Sequence, residues 1–160
     1  MQYNEANAIV DLDRYPIHNK QSEEYVRLVD QLRNELDQHQ ICTLPQFLRE
    51  EPRKREVTAA LDILDKGNRA HSFRNIYLER STTPSLPDDH PKNILSEASY
   101  TMLGAHLLDE SSAVKELYNW DDFREFVSDV TESGPLYPSA DPYQPVNILC
   151  HLKTWQNLIH

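Results

Sequence analysis

Glycine is nearly absent from this chain of 160 residues, which has only 3. Neither a G-x-G-x-x-G turn nor a P-loop can be written with so few, so phosphate cradles of those kinds are excluded. Cysteine is as scarce. Cys42 and Cys150 are far apart, fit no C-x-x-C pattern, and sit in apolar runs, so they read as buried small hydrophobes in preference to a disulfide. No stretch approaches the ~18 consecutive apolar residues of a membrane span. The first ten residues are polar and lack the cationic and apolar regions of a signal peptide. Basic charge is short too: 16 Lys and Arg stand against 26 Asp and Glu, a net charge of −10. Binding nucleic acid requires clustered cations facing phosphates. The densest basic stretch, Arg49 to Arg55, is interleaved with Glu50, Glu51 and Pro52 and reads as a solvated helix start. These absences predict a cytoplasmic protein with no nucleic-acid and no membrane partner.

Other features point to a folded chain. Hydrophobic residues make up 39% of the sequence and the aromatics are spread along it, against disorder. The length suits one domain over residues 1–160, large enough to bury about 70% of its unfolded surface. Ten prolines punctuate it. No internal repeat occurs.

Residues 1–20 read as an irregular lead-in, 21–70 as a helical part, 71–151 as a mixed part and 152–160 as a divergent tail. The clearest helix runs from Ser22 to Gln38: Tyr25, Leu28, Val29, Leu32 and Leu36 recur at helical spacing, with Ser22 as cap and Glu23 and Glu24 in the first turn. Ile41 to Leu44 reads as a short strand stopped by Pro45. A second helix is predicted from Pro52, with Val57, Ala60, Leu61 and Leu64 as its stripe and Gly67 just past its end. Phe73 to Leu78 has strand composition, and residues 81–91 form a proline-rich loop. Residues 99–108 read as a buried strand, with a helix as the alternative. Two short helices follow at about 111–118 and 121–130; Phe123, Phe126, Val127 and Val130 face one way on the second, and Asp121 or Asp122 stands at its start. A loop at 136–145 leads into a strand from Val146 to Cys150. The pattern predicts an α+β domain, with N-terminal helices packed on a β-sheet.

None of the seven histidines forms His-x-Asp, His-x-Glu or H-E-x-x-H, and no G-x-S-x-G elbow is present. His90, followed by Pro91, suggests turn chemistry, and His106 reads as a hydrogen-bonded core histidine. The carboxylate pairs Asp88-Asp89, Asp109-Glu110 and Asp121-Asp122 fall where capping explains them. Polar groups inside apolar strands resist so plain an account: Arg74 and Asn75 in FRNIYL, and Asn147 in VNILC, with Tyr137, Asp141 and Tyr143 on the loop feeding the latter. Unpartnered burial of such groups costs roughly 2–7 kcal/mol, so they must be paired or face a cavity. An Arg74–Asp141 ion pair and a ligand pocket stand as alternatives.

The segments HSFRNIYL (71–78), LPDDHPKN (86–93), ELYNWDDFREFV (116–127) and PLYPSADPYQPVNILCH (135–151) follow one another in order. Together they resemble the N-terminal half of a group of non-haem Fe(II)/2-oxoglutarate-dependent oxygenases that includes amino-acid halogenases and hydroxylases. The resemblance covers most of residues 10–151. It implies helices followed by a double-stranded β-helix, or jelly roll, here incomplete. It further implies iron held by a His-x-Asp/Glu pair and a distal His, with a late Arg gripping 2-oxoglutarate. After His151 the chain reads LKTWQNLIH, and no position matches those ligands. The expectation is a truncated or degenerate oxygenase-like protein that is inactive as it stands and carries neither Fe(II) nor 2-oxoglutarate. Arg74, Asn75, Tyr137, Asp141 and Asn147 are its substrate-pocket candidates. Exposed sheet edges predict self-association or a protein partner. The alternatives are a non-enzymatic interaction domain and, with least support, an enzyme of another class using Arg74 and Asp141 in a cleft.

Overall fold

The computed structural model describes residues 1–151. The elements run α1 (Tyr3–Ile9), α2 (Glu23–His39), α3 (Glu50–Asp62), β1 (Asn68–Arg74), β2 (Ser96–Gly104), α4 (Ala113–Asn119), α5 (Asp121–Thr131) and β3 (Asn147–Cys150). The protein is α+β, and its sheet is antiparallel in the order β1-β2-β3. Arg74 lies opposite Ser96 at one end of β2, and Asn147 lies opposite Gly104 at the other. Helices α4 and α5 stand between β2 and β3, where the order of the predicted elements has them.

Helix α2 forms where the periodicity places it. The Ser22 hydroxyl accepts the Tyr25 N–H at 3.1 Å, and Gln40 ends the helix in the left-handed region. Its buried face, Tyr25, Val29 and Leu32, meets Phe126 and Val130 of α5. Two polar clasps fix that contact. The Tyr25 hydroxyl donates to Asp129 Oδ2 at 2.5 Å, and the Arg33 guanidinium donates twice to the Asp129 carbonyl, at 2.9 and 2.7 Å.

The first twenty residues are not an irregular lead-in. They contain α1, and Ala6, Ile9, Val10, Leu12, Tyr15 and Ile17 are all buried in the helical core. Helix α1 is too short to show a period, and the alternation after it buries side chains without a strand ladder; one isolated bridge joins Val10 to Leu48. Arg49 fastens this segment to α3. Its guanidinium donates to the Asn7 carbonyl and side-chain oxygens at 2.5 and 2.6 Å and sits 3.4 Å from both Asp11 and Asp13. Arg49 therefore departs from the expected solvated helix start.

Three further expectations are corrected. Ile41 to Leu44 forms no strand: its side chains alternate between exposed and half-buried, but its backbone joins no ladder among the described residues, the Leu44 carbonyl accepting the Phe47 N–H at 3.2 Å, and Pro45 supplies only a carbonyl, to the Tyr15 hydroxyl. The strand expected at Phe73 to Leu78 lies earlier, at β1, because Asn75 turns the chain. The α3 stripe is only partly buried: Ala60 is covered while Val57 and Leu61 remain exposed. Gly67 stands past the end of α3, after a short 3-10 turn over Leu64–Lys66. Its backbone is extended, and a Cβ there would stand 2.5 Å from Thr101 Cγ2 and 2.8 Å from Leu103 Cδ2, so glycine is needed for close approach to β2.

A second, smaller core lies between α3 and the sheet, built on Ala60, Leu103 and Leu108 with Ile63, Ile148 and Cys150 against it. Glu56 couples the two cores. From the middle of α3 its carboxylate accepts the Ala113 N–H at 2.7 Å and the Ser112 hydroxyl at 2.9 Å, capping α4 from another element.

Candidate functional site

The five pocket candidates fall at two ends of the sheet. Arg74 closes β1 and Asn75 follows it, whereas Asn147 opens β3 eight positions away along β2, about 26 Å at the rise of a strand. Tyr137 and Asp141 belong to the loop at the Asn147 end. That loop is anchored where the Tyr143 carbonyl accepts the Ala105 N–H at 2.9 Å and the Tyr118 hydroxyl accepts the Ser139 N–H at 2.6 Å. Gly104 makes the first anchor feasible, since a Cβ there would meet the Tyr143 carbonyl at 2.8 Å.

Asn75 is buried and fully used. Its side-chain oxygen accepts the N–H groups of Tyr77 and Glu79, each at 3.0 Å, while its amide donates to Glu79 Oε2 at 3.0 Å and to the Lys92 carbonyl at 2.9 Å. Its main chain closes the same loop, with N–H to the Glu79 carbonyl at 3.0 Å and carbonyl from the Leu78 N–H at 2.9 Å. The result is a tight turn whose Leu78 is held at φ 63°, where a branched side chain costs ~1–2 kcal/mol. The carboxyl of Glu79 is held below its ordinary range, first by the Asn75 amide and then by Lys92. Asn75 thus organises a turn and presents no free polar atom.

Arg74 behaves otherwise. Its Nε is buried without a hydrogen-bond partner, and among the described residues its guanidinium enters no ion pair. Asp141, offered as its partner, is exposed at the other end of the sheet and spends its side chain on the Tyr143 and Gln144 N–H groups at 2.8 and 3.3 Å. Tyr137 is exposed, as is Asn147.

The other polar residues have structural duties. His90 accepts the Lys92 N–H at 3.2 Å within its turn, and Asp109 takes the Ser111 N–H and hydroxyl. His106 is exposed with its ring edge-on to Tyr143 at 5.2 Å, so it is not a core histidine. Cys42 and Cys150 are free and half-buried, and burial pushes the Cys150 thiol up. Among the described residues no three His, Cys, Asp or Glu side chains gather as a metal-ligating group, and no helix is long and apolar enough to cross a membrane.

Two features were not foreseen from sequence. One is a cleft of about 340 Å³ between α3 and β3, whose walls include Val57, Ala60, Leu61, Ile148 and Leu149. The other is the apolar tip of the Asn75 turn, Ile76, Tyr77 and Leu78, all exposed. The strand-like composition of these three residues disguised the tip. Against this geometry, no protein-family model matches the chain, and neither the curated proteins nor the solved structures yield a match.

Proposed function

We propose that this chain is an oxygenase-like front domain that binds a small carboxylate through Arg74 and performs no metal chemistry with the described residues. The observation that carries the reading is the orphaned Arg74 Nε. A half-buried guanidinium without a counter-charge is costly unless an anion arrives, and its planar donors match a carboxylate in bidentate fashion. The oxygenase resemblance is carried by the sequence segments 71–78, 86–93, 116–127 and 135–151 alone. In this reading β1 to β3 open a jelly roll whose further strands would add at the β3 edge. The iron and 2-oxoglutarate ligands of such enzymes find no matching set among the described residues, so no reaction step is assigned to them.

Calorimetric titration with 2-oxoglutarate, succinate and free amino acids tests this. Binding of at least one is expected, lost in Arg74→Gln and retained in Asn147→Ala. No binding by the wild-type chain refutes the Arg74 assignment, and tight Fe(II) binding with succinate release refutes the non-catalytic one.

A second reading rests on the cleft between α3 and β3, where Val57, Leu61 and Leu149 are exposed beside a strand that pairs only with β2 among the described residues. In that reading the chain is a non-enzymatic interaction domain. A stoichiometric, iron-free partner lost on Leu61→Glu supports it; a partner indifferent to that change counts against it.

A further inference from the structure

We infer that the turn after β1 is a self-association surface whose occupant is a second copy of this chain. Three consecutive large apolar residues project from it: Ile76 is 71% exposed, Tyr77 54% and Leu78 71%. Phe73 at 49% and Ile94 at 52% lie at the same end of the sheet. A tip of this composition is ordinarily mobile or absent from a soluble surface. Here it is held rigid by the six hydrogen bonds of Asn75, and Leu78 occupies a backbone conformation that glycine would take without strain. Strain kept on an exposed apolar residue points to a role for the side chain outside its own fold.

Area selects the occupant. Taking roughly 200 Å² for a fully exposed large side chain, the scale of an aromatic ring, the five residues offer about 600 Å². Two such faces together bury about 1,200 Å², the lower edge of specific protein interfaces, so a symmetric pair suffices without further surface. Beside the tip, Lys92 lies 3.5 Å from Glu79 and over the Tyr77 ring at 5.6 Å. Among the described residues β1 is also an edge strand, with no neighbouring strand to shield the turn.

Sedimentation velocity of the full chain across a wide concentration range tests the inference. A monomer–dimer equilibrium is expected, weakened by about a hundredfold or more in Tyr77→Glu/Leu78→Glu, because central apolar anchors dominate such contacts. Leu78→Gly relieves the backbone and so folds at least as well. It should also weaken the dimer, which separates loss of contact from loss of fold. A chain that stays monomeric throughout overturns the inference, as does a dimer unmoved by either variant. Carboxylate binding at Arg74 is read separately by calorimetry, so the two proposals fail independently.

Discussion

Removing the Glu56 carboxylate is the most direct probe of how the two cores are joined. It receives the Ala113 N–H at 2.7 Å and the Ser112 hydroxyl at 2.9 Å, and both donor residues are buried. Hydrogen bonds to a charged group contribute roughly 1.5–3 kcal/mol each, and a buried donor left without a partner forfeits its hydration as well. Water enters part of the space vacated in Glu56→Ala, so the loss is set at about 3 kcal/mol, the low end of the sum of two such bonds. For a domain of this size that lowers Tm by roughly 6–12 °C. Glu56→Gln keeps an acceptor for Ala113 and turns its amide toward Ser112, whose oxygen can accept, so about 1 kcal/mol is expected. Thermal melts and urea titrations of the three proteins provide the comparison. Refutation comes from Glu56→Ala unfolding within about 0.5 kcal/mol of wild type, the scatter of ordinary surface substitutions.

Other perturbations read other parts of the molecule. Gly67→Ala drives a methyl into Thr101 and Leu103 and is expected to cost roughly 1–3 kcal/mol by urea unfolding, although its backbone is ordinary for alanine. Arg74→Met removes an unpaired half-buried charge and should leave Tm unchanged or higher while abolishing carboxylate binding, a combination that simple misfolding does not produce. Asp129 is held below its ordinary 3.8, first by the Tyr25 hydroxyl against the opposing effect of burial, so it stabilises the fold above that value and ceases to as pH falls through its lowered one. Burial and the same contact push Tyr25 above its ordinary 10.0, so its stabilising share is present below pH 10.0 and is lost as pH rises beyond it. Tyr25→Phe should therefore flatten the stability–pH curve at both extremes, as followed by denaturant midpoints across pH.

Where local signals agree, the fold is legible in the sequence. Helix α2 has a helical period, a serine cap and an acidic first turn, and it forms within a residue of its predicted bounds. Helix α5 has a single apolar face and forms likewise. Failure came where a tertiary partner decides the outcome. Helix α1 carries only Ala6 and Ile9 inward, too few to mark a period. Ile76, Tyr77 and Leu78 favour a strand by composition, yet Asn75 turns the chain before they can join one. Polarity inside an apolar run singled out Arg74 and Asn75 alike, but only coordinates separate an arginine with an unmatched nitrogen from an asparagine with all its groups satisfied. Glu56 had no sequence signal at all, being one acid in a charged helix and 57 residues from the amide that it caps.

The composition of the helical core sets a timetable for biosynthesis. Its N-terminal share ends at Leu48, and its other walls begin at Ala113, so 64 residues must be made between them. At roughly 5–20 residues per second a ribosome takes about 3–13 s over that interval. Throughout it Val29, Leu32 and their neighbours have no α5 to lie against, and Tyr25 has no Asp129. During that interval the face of α2 that meets α5 stays uncovered.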